Sequence, residues 1–189
     1  MKSILFATGN SRKISEANTT LKPFGVEVEP VHVYINEIQH LDSTEIAKAK
    51  AVSAYNEAGE SVIVSDTSWE IPALGGFPSG YMKDVSYWWT ADNWLDIMEN
   101  QQDKRIFCLE HVAYFDGQEL KHFVERYEGR FIDEPRGRID ETESFERVVI
   151  LYGEETMAEQ LARGENASAG ETLRHWERLG TWLQSQPAE

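Results

Sequence analysis

The sequence predicts a mixed α/β fold, a central sheet flanked by helices, and three observations predict it. The first half alternates short β-branched runs with helical patterns. The run from Arg105 to Tyr127 is interrupted at Asp116-Gly117, a strong hairpin signal that makes the sheet partly antiparallel. At 189 residues, without an internal repeat, a low-complexity tract or a linker, the chain suits one domain (residues 1–189) with a good core and is short for two.

Each element has its own signal. Lys2 to Ala7 is apolar and runs straight into a glycine turn, so it is a first strand; the core of a signal peptide would be longer. Thr8 to Arg12 is a loop. Lys13 to Lys22 is a helix with Ile14, Ala17 and Leu21 on one face, ended by Pro23-Phe24-Gly25. Val26 to Val33 alternates apolar and polar side chains and gives a second strand. Asp42-Ser43-Thr44-Glu45 starts a helix, with Asp42 as its cap, Glu45 reaching back to it, and Gly59 as its stop after Ala58. Ser61 to Val64 is a buried strand, and Thr90 to Glu99 a helix carrying Trp94, Leu95, Ile97 and Met98. Arg105 to Phe115 and Glu119 to Tyr127 flank the hairpin turn. Val148 to Tyr152 adds a strand, and Ser168 to Gln184 a closing helix with Leu173, Trp176, Leu179 and Leu183.

Composition excludes several function classes. With 41% hydrophobic and 27% charged residues and no apolar run near the ~18 residues of a membrane span, the chain reads as a globular, cytoplasmic protein. Its formal net charge of -15, spread along the chain, repels nucleic acid. A small anionic ligand needs local lysines or a divalent cation to reverse that field within one cleft. Cys108, the sole cysteine, rules out an internal disulfide and reads as a buried structural residue in the run Ile106-Phe107-Cys108-Leu109.

Two stretches carry the candidate chemistry. Thr8-Gly9-Asn10-Ser11-Arg12-Lys13 joins the first strand to the first helix, where backbone N–H groups and the helix dipole favour a phosphate. Thr8 and Asn10 can hydrogen-bond its oxygens and Lys13 can neutralise them; alone, this is also an ordinary capped turn. The second stretch, Ser65 to Lys83, opens with Asp66 just past the third strand, where a sheet delivers residues into a crevice. Leu74-Gly75-Gly76-Phe77-Pro78-Ser79-Gly80 suits a backbone that turns tightly and approaches something closely, and Lys83 returns a positive charge. Lys50 shares a helix face with Ile46, for which snorkelling is the plain explanation. Glu37 follows the second strand, and a pair of carboxylates at adjacent strand ends is how Mg²⁺ is commonly held against a triphosphate.

Ala7 to Lys13, then Ser65-Asp66-Thr67 and Ala73-Leu74-Gly75-Gly76-Phe77-Pro78 with Tyr81 and Lys83, resemble the inosine triphosphate pyrophosphatases over the N-terminal two-thirds of the chain. The resemblance implies an elongated fold of two lobes with a cleft, a Mg²⁺ requirement, a homodimer, and cleavage of a nucleoside triphosphate to its monophosphate and pyrophosphate. It implies Thr8, Asn10, Lys13, Lys50 and Lys83 as phosphate-binding residues, Asp66 as the catalytic residue that orients or deprotonates the attacking water, and Glu37 with Asp66 at the metal. The last third departs from the family. Phe145-Glu146-Arg147 stands where the family has a phenylalanine-glycine-aromatic-aspartate-proline motif, and Glu165 and Glu171 stand where it has base-gripping donors. Phe145, Arg147, Glu165 and Glu171 are therefore the base-side candidates, and a base presenting amino donors suits the two acids better than inosine or xanthosine does. Two readings from other classes stand beside this one: a regulatory nucleotide-binding protein that has lost turnover, and a partner-binding protein using Trp88, Trp89 and Trp94.

Overall fold

The computed structural model of the chain describes residues 2–138, 145–163 and 173–186. β1 (Lys2–Ala7) and β2 (Val26–Val31) pair in parallel along their length, from Lys2 opposite Val26 to Ala7 opposite Val31. β3 (Val62–Glu70) pairs in parallel with β1 only at Leu5–Val62 and Phe6–Ile63. Since β1 ends at Ala7, β3 runs on past it, and Asp66 and Thr67 stand beyond the end of β1.

The sheet is mixed, as predicted. β4 (Pro78–Ser79) is antiparallel to β3, and β5 (Arg105–Phe115) and β6 (Leu120–Phe131) lead to β7 (Val149–Ile150), which is antiparallel to β6. The strand order is β2-β1-β3-β5-β6-β7, with β4 pairing β3 off that path. The helices are α1 (Ser11–Leu21), α2 (Ser43–Ala58), α3 (Met82–Trp88), α4 (Ala91–Met98), α5 (Met157–Ala162) and α6 (Arg174–Ser185).

The chain folds into two compact units, one formed by Met1–Thr67, Glu110–Glu125 and Leu173–Glu189, the other by Ser68–Leu109 and Arg126–Thr172. The first unit buries Phe6 of β1 edge-on against Trp176 of α6, ring centroids 5.3 Å apart, among Leu21, Ile63 and Leu179. An aromatic ring of this size removes on the order of 200 Å² from water, about 5 kcal/mol before ordering entropy is counted. Gly180 lets α6 lie flush against residue 24, since a Cβ there would stand 2.5 Å from the Phe24 ring. The second unit packs Trp69, Trp94, Ile106 and Phe145 together. The tryptophan group divides: Trp94 is fully buried, Trp89 packs on it at 4.7 Å, and Trp88 is 76% exposed beside Tyr87.

Several boundaries differ from the expectation, each for a local reason. α1 begins at Ser11, because Asn10 caps it. Asp42 caps α2 as expected, its Oδ1 accepting from Thr44 N at 2.8 Å, but its own N–H donates to His40 Nδ1 at 3.0 Å, and Glu45 pairs with Lys48. β2 stops at Val31, where β1 runs out of partners. β3 extends to Glu70, held by β4, so Asp66 lies inside the strand. The two glycines Gly75 and Gly76 both take positive φ (66° and 92°), and Gly76 N donates to Ile71 O at 3.1 Å. Their turn closes on its own strand and returns the chain to β4. The hairpin turn is closed by Asp116 Oδ1, which accepts from Gln118 N and Glu119 N, and β6 runs to Phe131. Residues 168–172 of the predicted closing helix lie outside the described residues; α6 begins at Arg174. Among the described residues, no helix is long and apolar enough to cross a membrane. Cys108 is buried and forms no disulfide.

The first unit also buries two imidazoles and partly buries a third. His111 on β5 and His122 on β6 stack with Nδ1 and Nε2 3.0 Å apart, and His175 of α6 is buried with its Nδ1 unbonded. Burial, aided by His122, lowers the His111 pKa from 6.5 to about 4; burial, aided by Lys13, lowers that of His175 to about 3. Below pH 6.5 the unfolded chain takes up protons that these folded rings refuse, so stability falls as pH drops from 6.5 towards 4. Urea unfolding is expected to lose on the order of 1 kcal/mol per pH unit for each of His111 and His175 across that window. A midpoint constant between pH 7 and pH 5 would contradict the buried neutral imidazoles.

Candidate active site

A cavity of about 380 Å³ opens where β1 stops, and Thr8, Asn10, Lys13, Glu37, Lys50 and Asp66 line it, with His32 and Ser65 beside them. All of these residues belong to the first unit. Thr8 and Asn10 form the β1–α1 turn. Thr8 Oγ1 accepts from Asn10 N at 3.2 Å, and Asn10 Oδ1 accepts from Arg12 N at 3.0 Å and Lys13 N at 3.4 Å. The turn therefore uses the side-chain acceptors of both residues and two of the helix amides. The groups a phosphate needs are donors, namely the Thr8 hydroxyl proton and the Asn10 side-chain Nδ2–H, and these three bonds use neither. Gly9 is not forced by crowding, since a Cβ there would meet His32 only at an ordinary 3.5 Å.

Lys50 does not snorkel. Its side chain is 14% exposed, and its Nζ lies 2.8 Å from Glu37 Oε1 and 3.4 Å from Asp66 Oδ1. α2 supplies the lysine, β3 supplies Asp66, and the 32–42 loop supplies Glu37, anchored where Asn36 N donates to Ser53 Oγ of α2 at 3.0 Å. Burial works against the Lys50 ammonium, but the Asp66 and Glu37 carboxylates outweigh it and hold its pKa above the ordinary lysine value. Lys13 reaches the other way, donating from Nζ to Thr67 Oγ1 at 3.4 Å; Thr67 Oγ1 in turn donates to Glu110 Oε2 at 2.9 Å. Burial pushes the Glu110 carboxyl pKa up, and Lys13 pulls it partly back.

The four charges lining the cavity, Lys13 and Lys50 against Glu37 and Asp66, cancel. Among the described residues no group of three or more histidines, cysteines or acids is set to hold a metal ion. Glu37 and Asp66 nevertheless converge on one cation, the Lys50 ammonium, and Mg²⁺ needs only one or two carboxylates because it keeps several waters. The donor set fits that ion.

The other candidates are not gathered here. Lys83 is exposed in the first turn of α3, in the second unit, and does not line the cavity. Phe145 is 4% exposed, with its ring 4.8 Å from Trp69, and serves the core of the second unit. Arg147 accepts from Arg136 N through its backbone oxygen, and its Nε is buried without a hydrogen-bond partner. Glu165 and Glu171 lie outside the described residues. Thr67 and Glu110 were not foreseen. The available signal was an acid at position 110, next to His111, inside the largely apolar strand Ile106–Tyr114.

The fold and cavity define a mixed α/β protein with a cation-and-carboxylate site at the end of its first strand. Residues 4–168 match the model of the Ham1 family, and the chain belongs to that family. It is 30% identical over 186 residues to the dITP/XTP pyrophosphatase of Methanopyrus kandleri, covering 98% of each chain, and 30% identical over 183 residues to that of Pyrobaculum aerophilum, covering 97% of each. The fold is shared with the Ham1 protein of Staphylococcus aureus (TM-score 0.73, 20% identity, 97% and 98% coverage). It is shared equally with a HAM1 protein from Coxiella burnetii (TM-score 0.72, 20% identity, 98% and 100% coverage). The resemblance read from Ala7–Lys13 and Ser65–Lys83 is thereby borne out.

Removing the Lys50 ammonium leaves two carboxylates facing each other without a counter-ion. Lys50→Met is expected to lower stability at pH 7 by about 1–2 kcal/mol, less than a fully buried pair would lose because Glu37 is half exposed. The midpoint of urea unfolding reads this directly, and an unchanged midpoint would mean that the cluster contributes nothing to folding.

Proposed function

We propose that the chain is a Mg²⁺-dependent nucleoside triphosphate pyrophosphatase, working as one functional domain, that cleaves a triphosphate to the monophosphate and pyrophosphate. The observation that carries this reading is the convergence of Lys13, Lys50, Glu37 and Asp66 on one cavity. Family membership and relatives named dITP/XTP pyrophosphatases support it.

Phosphoryl chemistry asks for positioned charge and an aligned water, with little covalent work by the protein. Glu37 and Asp66 would hold Mg²⁺, which supplies the positive charge that the self-cancelling cavity lacks. Thr8, Asn10 and Lys13 bind the phosphate oxygens. Asp66 orients the attacking water and accepts its proton as the new O–P bond forms and the bond to the departing pyrophosphate breaks. Lys50, whose Nζ stands 3.4 Å from Asp66 Oδ1, holds that carboxylate in position. Lys83 stays in the proposal on the family resemblance alone, as does a homodimer, which sedimentation velocity decides.

The base-side reading belongs here too. Acids at Glu165 and Glu171, in place of family donors, favour a base presenting amino groups, with Arg147 as the remaining candidate.

Pyrophosphate release from a panel of nucleoside triphosphates with Mg²⁺ tests both levels. Wild type is expected to turn over at least one triphosphate, and Asp66→Asn to lose about 10²–10⁴-fold in kcat. Full activity in the variant would remove Asp66 from the chemistry, and binding without release in wild type would make the protein a nucleotide sensor. Inosine triphosphate is expected to trail the best substrate by about tenfold or more in kcat/KM, which is what one unpaired buried polar group costs. Equal efficiency would remove the shifted specificity.

A further inference from the structure

We propose that Glu110 is a positioning residue for this reaction, acting through the Thr67 hydroxyl to fix the Lys13 ammonium at the phosphate site. The inference rests on the functional reading above and adds two residues to it. Neither Thr67 nor Glu110 lines the cavity, so any effect on substrate runs through Lys13, which does.

Thr67 has one proton to give and two lone pairs to offer, and a carboxylate only accepts. Glu110 Oε2, 2.9 Å away, takes the proton, which turns the lone pairs towards Lys13 Nζ at 3.4 Å. A lysine has many rotamers open to it on its flexible stem. Holding the ammonium before substrate arrives removes part of that ordering from the binding step. The placement is costly for the protein otherwise: an acid stands inside β5 between the buried Cys108 and Val112, where burial disfavours its charge. Lys13 and Arg12 are the cations whose fields oppose that penalty, and Glu16 adds to it. An acid placed in such a strand, and hydrogen-bonded to the hydroxyl that meets a site lysine, has its use at the site.

The test is steady-state kinetics on Thr67→Val, Thr67→Ser, Glu110→Gln and the Val/Gln double variant, using Mg²⁺ and the panel triphosphate that wild type cleaves fastest, with inorganic pyrophosphate as product inhibitor. Thr67→Val is expected to raise KM and the pyrophosphate inhibition constant together, each by about tenfold, with kcat within about threefold, as a lost hydrogen bond to a charged group implies. Glu110→Gln moves both constants in the same direction by a smaller factor. The double variant is no worse than Thr67→Val within about twofold, because both changes break one chain of contacts. Thr67→Ser, which keeps the hydroxyl, recovers most of the loss. Unchanged constants in folded Thr67→Val, or losses that multiply in the double variant, overturn the proposal. If Glu110→Gln does not fold, the Val and Ser variants at 67 decide alone. A wild-type chain that neither binds nor cleaves any triphosphate overturns the functional reading and this inference together, whereas an active wild type with indifferent variants overturns only this one.

Discussion

The ammonium of Lys50, held between Glu37 and Asp66, is the interaction on which the candidate site depends. Two acids brought together in a chain of net charge -15 would repel, and the lysine allows them to share one corner of the fold. The cost of the arrangement is that its charges cancel. A cavity built this way has little attraction for a polyphosphate until a divalent cation adds its own charge, which is the physical reason for reading the site as metal-dependent.

The fold delivers that corner through an unequal pairing of parallel strands. β1 ends at Ala7 while β3 continues to Glu70, so the C-terminal side of β1 leaves room for the turn at Thr8–Asn10 on one side and for Asp66 and Thr67 on the other. α2 then places Lys50 from behind, with Ile46 one turn earlier fixed in the core. Helix capping by Asn10 and Asp42 sets where α1 and α2 begin, and so sets which of their residues reach the cavity.

Much of this was legible because its signals are local. Asp42 and Gly59 bound α2, Asp116-Gly117 closes the hairpin, and the β-branched runs mark β1 and β3, each by chemistry confined to a few neighbouring residues. Cys108 in the core was equally plain. What the sequence hid is non-local. The destination of Lys50 depends on three segments meeting, which a helical wheel that pairs it with Ile46 does not reveal. The continuation of β3 past Asp66 to Glu70 depends on non-local neighbours, β5 beside it and β4 pairing Trp69 and Glu70. α3 and α5, of 7 and 6 residues, are too short to persist by themselves and exist through buried anchors such as Met82 and Met157. Phe145 could be assigned to a base pocket from its motif position, yet in the fold its ring fills the space beside Trp69 and Trp94.

The central claim is that the cavity has no net pull on a polyphosphate without a divalent ion. Calorimetric titration of the protein with inorganic pyrophosphate, once with Mg²⁺ and once with a chelator, measures this most directly. The account predicts binding with Mg²⁺ and at least about a tenfold loss of affinity without it, some 1.4 kcal/mol. Equal affinity in the two titrations would show that the lysines alone hold the anion, and would contradict the account.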